Sequence, residues 1–297
     1  MTTAQARLPG PTSLPRHIQT GLIFGVLLAA AVCWAVTDQR MDGMDAGPGT
    51  DPGDLGFWLT VWVVMMAAMM FPSVAPAATA FAAMGAGERP DQARVGTVPM
   101  FIAGYLLTWT AAGLVGYAVI EAGRDLSIDF LAWDRAGRYV AGGVILGAAV
   151  YQLTAPKDAC LRHCRSPRRF LVEHWRPGRI GALRMGVDHG GFCVGCCWAL
   201  MTALFALGVM SLGWMVFVAA LIAIEKLLPW KVLANRGIAI LLALLAVAVA
   251  VAPDDVPGLT IPGSPEAAQA MEAMGMESED GGMEHESMAP ETGSIDE

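Results

Sequence analysis

The sequence predicts an all-α fold: a polytopic bundle of about seven transmembrane helices, N-terminus inside and C-terminus outside. Three observations lead there. Of 297 residues, 55% are hydrophobic and 15% charged, with a mean hydropathy of +0.50, against about 45–50% and about 25% in soluble domains. The apolar residues gather into runs of membrane-crossing length. The Lys and Arg residues gather in alternate connections. A net charge of −8 also argues against nucleic acid as a partner, because phosphate binding needs a basic face.

A helix needs about 20 mostly apolar residues to cross the hydrocarbon core. Seven stretches approach or meet this: residues 21–36, 57–83, 98–120, 139–151, 190–207, 209–228 and 238–252. The fifth and sixth are cut from one apolar run too long for a single crossing, with the break placed near Gly208–Gly213. Orientation follows from the excess of basic residues on the cytoplasmic side. Arg7 and Arg16 precede the first span, eight Lys and Arg lie between 157 and 189, and Lys226, Lys231 and Arg236 follow the sixth. The first outer loop, 37–56, holds Arg40 against five Asp. Cleavage of the first stretch as a signal peptide is the alternative, disfavoured by its long apolar core.

The chain thus divides into a polar N-terminal tail (1–18), a transmembrane helical domain (19–252) and an acidic, Met-rich tail (253–297). That tail holds twelve Asp and Glu and no Lys or Arg, a composition expected to stay disordered. The remainder is net basic. A GxxxG step at Gly143 and Gly147 suits close helix packing.

Three groups of residues could hold a metal. Five of the six cysteines cluster on the expected inner face: Cys160 and Cys164 in CLRHC, then Cys193, Cys196 and Cys197 in HGGFCVGCC, with His163 and His189 beside them. Their i, i+3 and i+4 spacings place them on shared helix faces, and thiols and imidazoles at such spacing suit metal ligation. Position near a helix start would favour the thiolate. Packing, a disulfide or redox thiol chemistry are the other readings; a reducing cytosol disfavours the disulfide, and lone Cys33 is assigned to packing. The second group is Met65, Met66, Met69 and Met70 in the second span, two thioether pairs at i, i+4 ahead of Pro72 and Pro76. Thioethers are soft ligands for copper(I), although Met also fills gaps between helices. The third group lies outside: Met41 and Met44 in the first loop, and Met271, Met274, Met276, Met283, His285 and Met288 in the tail. No GxSxG, HExxH or P-loop pattern marks a catalytic centre.

The segments MMAAMMFPS, GYLLTW, YQLTAPKDACLRHCRSP, WRPGRIGALRMGVDHGGFCVGCCWALM and EKLLPW together resemble the predicted metal-binding integral membrane proteins of domain-of-unknown-function family 2182, over residues 58–230. The resemblance implies that Cys160, Cys164, His189, Cys193, Cys196 and Cys197 are shared family features. The expected function is handling of copper, as Cu+, in the cell membrane: capture by outer Met and His, and reception by the inner Cys/His cluster. Expected partners are the lipid bilayer, the metal ion, and a metallochaperone or cuproprotein. Zinc held structurally, or a thiol-based membrane oxidoreductase, are the alternatives.

Overall fold

The computed structural model describes residues 15–85, 93–125 and 133–274. Among these, every regular element is helical. In order they are α1 (Arg16–Met41), α2 (Leu55–Gly85), α3 (Ala93–Asp125), a π-helical turn (Trp133–Gly137) leading into α4 (Arg138–Tyr151), α5 (Ala155–Arg165), α6 (Pro167–His174), α7 (Gly178–Leu207), α8 (Leu212–Leu227), α9 (Lys231–Val251), a 3-10 turn (Pro253–Asp255) and α10 (Pro265–Ala273). The all-α expectation holds for the described residues.

Five helices, α1, α2, α3, α7 and α9, are long and apolar enough to cross a membrane. The expected fourth and sixth spans are helical but short. α4 has 14 residues and α8 has 16, about 21 and 24 Å of rise against a hydrocarbon core of about 30 Å. Together with its π-helical turn and α5, α4 forms a pair of sufficient length, bent by 66°.

The connections meet at two ends of the bundle. At one, Thr260 donates to Asp45 Oδ2 at 3.1 Å, Gly208 lies against Asp45 and the Gly47 backbone, and Arg124 pairs with Asp51 at 2.6 Å. At the other, Lys231 pairs with Asp158 at 3.5 Å and Arg165 donates to the Glu225 carbonyl at 2.5 Å and to that of Leu228. α1, α3, α7 and α9 therefore run toward the first of these ends, and α2 and α8 away from it.

Three expectations are corrected. The basic stretch 157–189 is not a loop: it folds as α5, α6 and the first three turns of α7, whose start lies twelve residues before the expected Gly190. Arg and Lys are good helix formers, and Pro156, Pro167 and Pro177 supply helix starts. The tail is not wholly without structure: Ser264 caps α10 by accepting from Ala267 N–H, and Ala267 and Ala270 pack on Ala46 of the α1–α2 loop. A partner in the α1–α2 loop, invisible to composition, provides the burial. Finally, a Cβ on Gly143 or Gly147 would meet nothing, whereas Gly142 faces Ala246 and Ala250 of α9.

The tightest crossing joins α3 to α7. A Cβ on Gly186 would strike the Phe101 carbonyl, and one on Gly104 the Leu183 carbonyl. Small residues let membrane helix backbones approach this closely. Gly186→Ala is expected to destabilise by about 1–3 kcal/mol, read as a lower Tm of the detergent-solubilised chain. Gly143→Ala should leave Tm unchanged.

Candidate metal centre

The bend after α4 turns α5 back against α7. On α5, Lys157, Cys160 and Cys164 stand at i, i+3 and i+7, one face of the helix. That face meets Cys193, Cys196 and Cys197, which lie about four turns inside α7 and are fully buried. The expectation that these cysteines sit at a helix N-terminus is therefore overturned, because α7 begins at Gly178. Gly195 makes the approach feasible: a Cβ there would collide with Cys160 Sγ at 2.7 Å.

Four thiols converge. Cys196 Sγ lies 3.4 Å from Cys197 Sγ and 3.8 Å from Cys164 Sγ. Cys164, Cys193 and Cys196 form one set of ligand atoms within 4.8 Å of one another, and Cys196, Cys197 and Glu225 form another. Two sulfurs bound to one ion at about 2.3 Å, with trigonal or tetrahedral angles, stand about 3.7–4.0 Å apart. The Cys164–Cys196 separation matches that bite, and the Cys196–Cys197 separation is a few tenths of an ångström shorter. All six cysteines are free.

Three charged side chains enclose the thiols. Lys226 donates to Cys193 Sγ at 3.0 Å and to Ser73 Oγ at 3.5 Å. The Tyr105 hydroxyl is 3.0 Å from the same sulfur, placed there by the α3–α7 crossing. Lys157 is completely buried, bound to Glu225 at 2.9 Å and donating to the Cys196 carbonyl at 2.7 Å. Glu225 and Lys226 stand in the sequence as ionisable residues inside an apolar run, a functional signal by default, and the structure buries both. Tyr105 and Lys157 carried no local signal, for their roles depend on helices distant in sequence.

The histidines pack against aromatic rings. His189 is buried among Phe101, Tyr105 and Phe170, its Nδ1 without a partner. His163 stacks on Phe192 at 4.0 Å and bonds the Ala159 carbonyl. Neither joins a ligand set with the cysteines. Cys160 is half-buried at the edge of the cluster. Met65, Met66, Met69 and Met70 are all buried in the core; Met69 and Met70 precede Ser73 by one turn, so that face of α2 leads to Lys226 and the thiols. At the opposite end, Met41 is buried and Met44 half-buried, with Met271 and Met274 packed over Ala46. Met276, Met283, His285 and Met288 lie outside the described residues.

The donor chemistry fits a soft ion. Thiolate sulfur selects copper(I), zinc or iron–sulfur clusters, and the carboxylate that joins the ligand sets, Glu225, is already paired with Lys157. No curated protein and no solved structure matches the chain. A family model does: that of PpoB2, described as a copper chaperone, over residues 59–249. The match spans nearly the same region as the motif resemblance, names it by copper, and takes in α7 with its three cysteines together with α5 and α8. By that match, the chain belongs to the PpoB2 copper chaperone family.

Proposed function

We propose that this protein binds copper(I) in the cell membrane and hands it to an acceptor cuproprotein or metallochaperone. The convergence of four thiols at ligand spacing, buried beside Lys226, is the observation that carries this reading. A copper(I) ion with two or three thiolates is a net anion, and a buried ammonium is the counter-charge that such a complex needs. A bare hard cation would instead be repelled by it.

The helix directions support seven crossings with α5 and α6 on the inner side. Arg162, Arg165, Arg168 and Arg169 lie on these two helices, and basic residues mark the cytoplasmic side. Met41, Met44, Met271 and Met274 then lie outside, where thioethers would collect copper for α2 and the cluster. Cys160, half-buried and outside both ligand sets, is placed to take copper from the centre and pass it on.

The test is metal retention by the detergent-purified chain loaded with Cu+ or Zn2+ and challenged with a chelator. Copper retained and zinc lost is the expected result. Zinc retained in preference would favour the structural reading, and neither metal retained would end this one. Cys160→Ser is expected to keep its copper but transfer it to an apo-acceptor at least tenfold more slowly. Labelling Cys160 with a membrane-impermeant thiol reagent should succeed only in inverted vesicles.

A further inference from the structure

The thiols form two ligand sets, and the sets draw on different helices. Cys164, Cys193 and Cys196 come from α5 and α7; Cys196, Cys197 and Glu225 come from α7 and α8. Cys196 is common to both. Its sulfur has a neighbouring sulfur on each side, Cys164 at 3.8 Å and Cys197 at 3.4 Å. Consecutive helical residues point about 100° apart, so Cys196 and Cys197 leave α7 in different directions. Cys197 therefore extends the centre toward α8, while Cys164 closes it on the α5 side. A thiolate sulfur that binds one soft ion keeps lone pairs for a second.

From this geometry we infer that the centre takes two copper(I) ions bridged by the Cys196 sulfur. One ion is held by Cys164, Cys193 and Cys196, the other by Cys196 and Cys197. The inference rests on the copper reading above and deepens it. Glu225 stays with Lys157, since a carboxylate oxygen is a hard ligand and copper(I) a soft ion. As the first ion binds, three S–H bonds break, three Cu–S bonds form and three protons leave to water; as the second binds, the Cys197 S–H bond breaks, Cu–S bonds form to Cys197 and to the bridging Cys196, and one proton leaves to water, with no electron exchanged in either step. The second ion brings one positive charge and turns the Cys197 thiol into a thiolate. Filling the second position therefore adds no net charge to a buried site, where uncompensated charge is costly.

The experiment titrates the full chain in detergent, anaerobically, with Cu+ against a chelator strong enough to strip sites made of thioethers alone. The wild type is expected to retain about two copper ions per chain. X-ray absorption on the same sample should show sulfur neighbours and a copper–copper distance. Cys197→Ser should retain about one ion and lose the copper–copper signal, as should Cys164→Ser; Cys33→Ser should match the wild type. Saturation of the wild type at one ion overturns the bridged pair and leaves the copper reading standing. So does a Cys197→Ser variant with unchanged stoichiometry. Retention of no copper at all overturns both. If a serine variant fails to fold, the copper–copper signal of the wild type decides by itself.

Discussion

Replacing Cys193, Cys196 and Cys197 together by Ser is expected to lower the retained copper at least tenfold, to the background of an unrelated membrane protein. The three thiols supply most of both ligand sets, and a serine hydroxyl is a hard, weakly acidic donor that does not substitute for thiolate. Retention equal to the wild type would sink the proposed function. Stability is the competing explanation, for a buried hydroxyl left without a partner costs about 1–3 kcal/mol. Cys164→Ser separates the two effects. Cys164 is only half-buried, so its replacement should weaken copper retention with little change in Tm. Cys33→Ser, far from the cluster on α1, should alter neither.

The second large effect is expected at the buried ion pair. Lys157→Met leaves the Glu225 carboxylate buried and uncompensated, and breaking such a pair costs about 3–5 kcal/mol. Loss of folded yield, or a sharply lower Tm in detergent, is the readout. The double variant Lys157→Met with Glu225→Leu should recover most of the loss, because a well-packed apolar pair of similar volume is close to neutral. If the double variant were as unstable as Lys157→Met, the pair would matter for more than charge compensation. Lys157 also donates to the Cys196 carbonyl at 2.7 Å. Copper retention by the double variant therefore reports whether that hydrogen bond holds α7 in register for its cysteines.

Much of the helical core was legible because helix formation in an apolar run is local. The uninterrupted apolar residues of α1, α2, α3 and α9 specify helices of membrane length from composition alone. α7 was half legible: its apolar part was recognised, but its first turns carry Arg179, Arg184 and Asp188 and read as loop. Charged residues with long stems are good helix formers, and their heads reach the interface. α4 and α5 were harder still. The bend at Gln152–Thr154 depends on α5 packing against α7, and the chain between Tyr151 and Ala155 holds no glycine or proline to announce it.

The sequence by itself determined the helical class, the soft-ligand chemistry and the two cysteine clusters, since residue type and i, i+3, i+4 spacing are properties of neighbours in the chain. Only the tertiary structure decided which ligands meet. Folding α5 back on α7 brings Cys164 to Cys196, 32 positions away; the α3–α7 crossing delivers Tyr105 to Cys193, 88 positions away. The same packing turns His189 toward phenylalanines and His163 onto Phe192, so that among the described residues neither imidazole falls in a ligand set with the cysteines. Spacing fixes which face of a helix a side chain occupies. What that face opposes is set by helix–helix packing, through contacts such as Gly186 on Phe101 and Gly195 on Cys160 that no local pattern encodes.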